Sequence, residues 1–114
     1  MPHTPEHRRH PRITLSEAAR LLFDNDEERN CAILDLSLSG AALVMPHPVM
    51  QGIRCMASFD IDSGSTRKRI NALGETVYAQ AIAPSRFRVG IKFIDMDAYS
   101  ELLLRELALE HPAN

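Results

Sequence analysis

Three arginines, Arg8, Arg9 and Arg12, stand close together in "HRRHPRI", bordered by Pro11 and preceded by Pro2 and Pro5. A guanidinium is a planar fork of donors with no acceptor, matched to phosphate oxygens and to the O6 and N7 edge of a guanine. Further along, "DLSLSG" sets Asp35, Ser37 and Gly40 at the end of an apolar run. They supply a carboxylate, a hydroxyl and a backbone without a Cβ. An ionised Asp35 only accepts hydrogen bonds, so it suits donors such as guanine N1 and N2. Strand alternation puts Asp35 and Ser37 on one face, and Gly40 allows either a tight turn or the close approach of a ligand. A turn in which Asp35 or Ser37 binds its own amides has the same composition, and both readings stand at this point.

Composition restricts what such groups can serve. The chain has 114 residues and a formal net charge of −2. It has room for one modest core and carries no global basic field, so a long nucleic acid is excluded as a partner. The basic residues are eleven arginines and two lysines, an excess that anion recognition and a GC-rich genome would both produce. No apolar run is long enough to cross a bilayer, and no signal-peptide pattern follows "MPHTPEH". The expectation is a cytoplasmic protein without membrane insertion. Cys31 and Cys55 lie inside apolar segments and read as reduced core thiols. The five histidines show no metal-ligand spacing, with His3, His7 and His10 all in the first eleven residues. No metal site is expected. Neither a phosphate loop, a nucleophile elbow nor a Ser, His and acid set is present, so no catalytic residue is assigned and no enzymatic activity expected.

The elements that must position these groups follow from the pattern. Residues 1–11 hold three prolines and almost nothing apolar, which predicts a flexible arm. Strands are predicted over "ITLSEAARLLF", "CAILDLS", "AALVM", "IRCMASFDI", "RINALGETVYAQAI" and "RFRVGIKFI". Polar or Gly- and Pro-bearing turns join them, including "DNDEE", "PHPVMQG", "DSGSTRK" and "APS". Six short strands so joined predict an antiparallel barrel or sandwich. The period then changes. Asp97 can cap a helix over about 97–110, with Met96, Tyr99, Leu103 and Leu107 as its stripe and Pro112 beyond its end. Leu102, Leu104 and Leu109 widen the stripe, for the core or for a partner.

Taken together, Arg8 and Arg12 in "RRHPR" and Asp35, Ser37 and Gly40 in "DLSLSG" resemble the two motif halves of the PilZ domain, the receptor family for the bacterial second messenger cyclic di-GMP. "GETVYA", "RFRVGIKFID" and the closing helix continue the resemblance over nearly the whole chain. The resemblance implies a mainly β fold, a six-stranded antiparallel barrel over 12–114 with a C-terminal helix, and no cofactor. It implies cyclic di-GMP binding by Arg8, Arg9, Arg12, Asp35, Ser37 and Gly40. The ending is like that of stand-alone adaptors, which implies an unidentified bacterial signalling protein as partner. His7 stands at a position linked in the family to the number of dinucleotides bound. Tyr78 stands where relatives often have a Trp near the base, which implies stacking on the ligand; packing within the barrel is its other reading. Some members lack the arginines and act through partners alone, so a ligand-independent interaction module is the alternative function.

Overall fold

The computed structural model describes residues 13–14, 18–24, 26–63 and 66–110. They form β1 (Ile13–Thr14), β2 (Ala18–Phe23), β3 (Glu28–Leu36), β4 (Gly40–Met45), β5 (Arg54–Ser63), β6 (Thr66–Ala83), β7 (Arg86–Met96) and one helix, α1 (Ala98–Glu110). Every strand pairing is antiparallel. The order is β1-β3-β2-β5-β6-β7-β4, and β3 also pairs with β4. That last pairing joins the two sides of the order, so each of the six longer strands has a bonded neighbour on both sides.

Two expected boundaries change. The stretch 13–23, read as one strand, is two, because β1 and β2 pair with β3 in registers one residue apart: Ile13 opposes Leu36 and Ala18 opposes Ala32. Residues 15–17 between them lie outside the described residues, as does the whole 1–11 arm. "DSGSTRK", read as a loop, is mostly ladder, with Ser63 opposite Thr66. Charge favours the extension: Asp60 opposes Arg69, and Arg69 Nε lies 2.8 Å from Asp60 Oδ1. Opposite charges facing across strands favour pairing.

Alternation decides what is inside. In β5, Cys55, Ala57, Phe59 and Ile61 point inward and are buried, as are Ala19 and Leu21 of β2, Leu43 of β4, Ile70 of β6 and Val89 of β7. Phe59 meets Phe93 edge-on at 5.9 Å between ring centroids. Leu103, Leu104 and Leu107 of α1 complete this cluster. Each large side chain so buried contributes ~1.5–3 kcal/mol.

The helix is fixed at its first turn. Asp97 caps it, its Oδ2 accepting from Ser100 N at 3.4 Å, and hydrogen bonding from Ser100, its side chain first and its backbone after, holds the Asp97 carboxyl below the usual carboxylate range. Ser100 Oγ accepts from Asn71 N at 2.9 Å. β7 pairs with β6 only from Ala72 onward, so the serine takes up a strand amide that β7 does not reach. With Ser100, Leu103, Leu104 and Leu107 turned inward, Tyr99 is turned out and 59% exposed. It does not join the buried stripe that the spacing suggested. Leu102 and Leu109 are exposed as well.

Both cysteines are free thiols. Burial pushes the Cys31 thiol up to about 12 and the Cys55 thiol up to about 11, from an ordinary 9.0. Cys31 Sγ donates to Ala19 O at 3.5 Å. The unfolded chain loses these protons first, so the stability tied to the neutral thiols is complete below pH 9.0 and is lost as pH rises through the folded values. We predict a urea midpoint that falls from pH 9 to 11. A Cys31→Ala, Cys55→Ala variant, less stable at neutral pH, should fall by less over that interval. An equal fall in both proteins would show that other groups carry the effect.

Candidate functional site

Closure of the ring brings one row of residues together on its outer face. Asp35 of β3 has Thr14 of β1 and Ala42 of β4 as Cα partners. Ala42 opposes Gly90 of β7, and Gly90 opposes Tyr78 of β6. An irregularity between Ile33 and Asp35 shifts the register just before the carboxylate, and such bulges re-aim side chains.

Arg88 ties the row together. It precedes Gly90 by two residues, on the same face of β7. Its Nη2 lies 3.5 Å from Asp35 Oδ2, a pair in which the aspartate side chain is only 14% exposed and the arginine 41%. Its Nε donates to the Tyr78 hydroxyl at 3.2 Å. The bond to Tyr78 first, and the nearby Asp35 charge after it, hold the guanidinium above its already high ordinary range. The Tyr78 ring lies over Gly90, where a Cβ would overlap three of its carbons, and the residue is 40% exposed. Tyr78 is therefore an outer-face residue, and the reading that it packs inside the β structure is corrected. Glycine at 90 lets the ring lie flat on the backbone.

The "DLSLSG" turn divides its tasks differently from the expectation. Ser37 is buried, and its N donates to Gly40 O at 2.8 Å. Its Oγ accepts from Ser39 N at 3.2 Å and donates to Gly40 O at 3.3 Å. The hydroxyl holds its own turn, which is the local reading of this residue. Asp35 points instead toward Arg88. Gly40 opposes Lys92, and a Cβ there would fall well inside contact with the Ile91 carbonyl oxygen. The glycine is needed so that β4 can approach β7.

His7, Arg8, Arg9 and Arg12 lie outside the described residues. β1 begins at Ile13, the sequence neighbour of Arg12, and its two residues oppose Leu36 and Asp35. Sequence reading brought Asp35 and Tyr78 into one site but missed Arg88 and Gly90. Their signal was the alternation Arg86, Arg88, Gly90, Lys92 along one strand, which puts basic groups and a glycine on one face. Among the described residues no group of three or more His, Cys, Asp or Glu could hold a metal ion. No helix among them is long and apolar enough to cross a membrane.

A family model described as "PilZ domain" matches residues 6–110. No curated protein matches the chain. Among solved structures, the inhibitor of motility MotI/DgrA of Bacillus subtilis superposes with a TM-score of 0.81 at 11% identity, over 93% of this chain and 51% of that one. The chain spans about half the length of that relative. The PilZ domain of YcgR from Escherichia coli, solved with c-di-GMP, gives a TM-score of 0.68 at 14% identity, covering 93% of this chain and 92% of the other. The MrkH–c-di-GMP complex of K. pneumonia gives 0.69 at 16% identity, covering 93% and 52%.

A methyl group at position 40 must push β4 from β7, so Gly40→Ala should destabilise the protein by ~1–3 kcal/mol, the usual cost of forcing volume into a packed site. Urea denaturation in the absence of any nucleotide measures this. An unchanged midpoint would show that the glycine is dispensable for packing.

Proposed function

The chain belongs to the PilZ domain family, and from that membership we propose that it is a cyclic di-GMP receptor, a non-enzymatic, cytoplasmic adaptor that relays the signal to a protein partner. The closed cycle of pairings supports reading the sheet as the six-stranded barrel that the family resemblance implies. The observation that carries the proposal is the register of β1. The residue following Arg12 opposes Leu36, and the next opposes Asp35, so the strand that continues the arginine motif pairs with the strand end that carries the other motif half.

Roles divide by chemistry. Arg8, Arg9 and Arg12 take the guanine O6 and N7 edges, the phosphates and a purine face. Asp35 accepts from guanine N1 and N2, in competition with Arg88. Ser37 acts by holding the turn, and Gly40 by letting β4 close against β7. Tyr78 offers a ring on the outer face, and His7 bears on whether one dinucleotide or a stacked pair is held. Ordering an arm costs ~1–2 kcal/mol for each residue fixed, so several charged contacts must act together. The ordered arm, the bound dinucleotide and the exposed helix residues Leu102 and Leu109 form the surface that a partner reads.

Isothermal titration with cyclic di-GMP, with cyclic di-AMP and GTP as controls, is the test. Binding of the first alone is expected. Arg8→Ala, Arg12→Ala and Asp35→Ala should each weaken it at least about tenfold, or ~1.4 kcal/mol, with the far-UV spectrum unchanged. Absence of heat with the wild-type protein, or identical curves for all three variants, would overturn the proposal.

A further inference from the structure

The β6–β7 hairpin runs past the rest of the sheet. β5 pairs with β6 only as far as Arg54 opposite Glu75, and the 50–53 loop carries the contact one residue further. There Thr76 N donates to Ile53 O, Gly52 N donates to Thr76 O, and Ile53 N donates to Thr76 Oγ1. Beyond Thr76, residues 77–83 pair with β7 on one side and, among the described residues, with nothing on the other. All seven are exposed.

Such an edge presents a row of backbone donors and acceptors that another strand can complete. Sheet proteins ordinarily protect edges with charge, proline or distortion. Here the sequence from Thr76 to Ser85, "TVYAQAIAPS", has no charged residue, and its only proline lies past the last strand residue. Register shifts fall between Thr76 and Tyr78 and between Ala81 and Ala83, leaving Tyr78 to Ala81 in regular register. Val77, Tyr78 and Ile82 are exposed apolar side chains, and Met50 and Ile53 add to them beside Thr76.

We propose that the occupant of this edge is a second copy of the chain, paired antiparallel about a twofold axis at Gln80. In an antiparallel pair an axis perpendicular to the sheet must pass between a residue and its own copy, and Gln80 is the middle of 77–83. The segment complements itself in that register. Tyr78 faces the second copy's Ile82, Ala79 faces its Ala81, and two uncharged amides meet at the centre. The hairpin end of each copy, with Ile82 and Pro84, arrives beside Thr76 of the other, where Met50 and Ile53 stand exposed. No like charges are brought together along the segment, so charge does not oppose self-pairing. The contact is isologous and closes at two copies.

Sedimentation over a rising concentration series tests this, with no nucleotide present. The wild-type mass should climb from 12.8 kDa toward twice that value. Gln80→Lys and Gln80→Glu place like charges opposite each other at the axis, and each variant alone should stay at the monomer mass. An equimolar mixture of the two should recover the dimer, because only then do opposite charges meet. Unchanged far-UV spectra establish that the variants are folded. A wild-type protein that remains monomeric throughout, variants that associate as it does, or a mixture that fails to recover association would each overturn the proposal.

Discussion

The pairing of β3 with β4 is the constraint on which the rest depends. Without it the sheet would run open from β3 through β2, β5, β6 and β7 to β4, leaving Asp35 and Gly90 on strands far apart in that order. With it, Asp35, Ala42, Gly90 and Tyr78 form one lateral row. Strands are ~4.8 Å apart, so Asp35 and Tyr78 are separated by about three such steps. A side chain as long as Arg88, rising from the strand between Ala42 and Tyr78, can touch both ends. Closure requires β4 to lie tightly on β7, and at Gly40 that fit leaves no room for a Cβ. A glycine that reads in the motif as room for a ligand is first of all room for the Ile91 carbonyl.

The second consequence is electrostatic. The Asp35 side chain is mostly buried, and a buried carboxylate without a partner is costly. Arg88 meets part of that need at 3.5 Å, a long contact by the standard of charge-assisted bonds, which run ~2.7–2.9 Å. A pair this long holds the arginine loosely, and the guanidinium can shift along the row. The same Arg88 is bound to the Tyr78 hydroxyl, so any change at Asp35 is felt by the ring over Gly90. This gives the row a physical route from a carboxylate in β3 to an aromatic ring in β6.

Much of this was legible in the sequence, for a reason that also explains what was not. The strands and the helix come from local patterns: alternation in "CMASFDI", the cap at Asp97, the turns between apolar runs. Asp35, Ser37 and Gly40 could be singled out because their types and spacing stand within six residues. Arg88 was not, because its contact with Asp35 joins residues 53 apart in sequence, and the alternation of Arg86, Arg88, Gly90 and Lys92 marks a basic face without naming what that face meets. The split of 13–23 into β1 and β2 is a register shift against β3, invisible without knowing the partner. Tyr99 was misplaced because helical spacing fits two stripes on α1, and the bond from Asn71 to Ser100 selects between them.

The hairpin joins the two surfaces in one piece of chain. Tyr78 contributes its side chain to the outer-face row, and it lies in the regular part of the unpaired edge. These are separable properties, because side chains in a strand stand out of the sheet while amides and carbonyls lie within it. Pairing at the edge would fix the backbone of 77–83, which among the described residues is bonded on one side alone. A strand held on both sides has less freedom, so the ring resting on Gly90 and the arginine bonded to its hydroxyl would hold their places more rigidly. Order gained at the edge therefore reaches the site through the backbone that the two share.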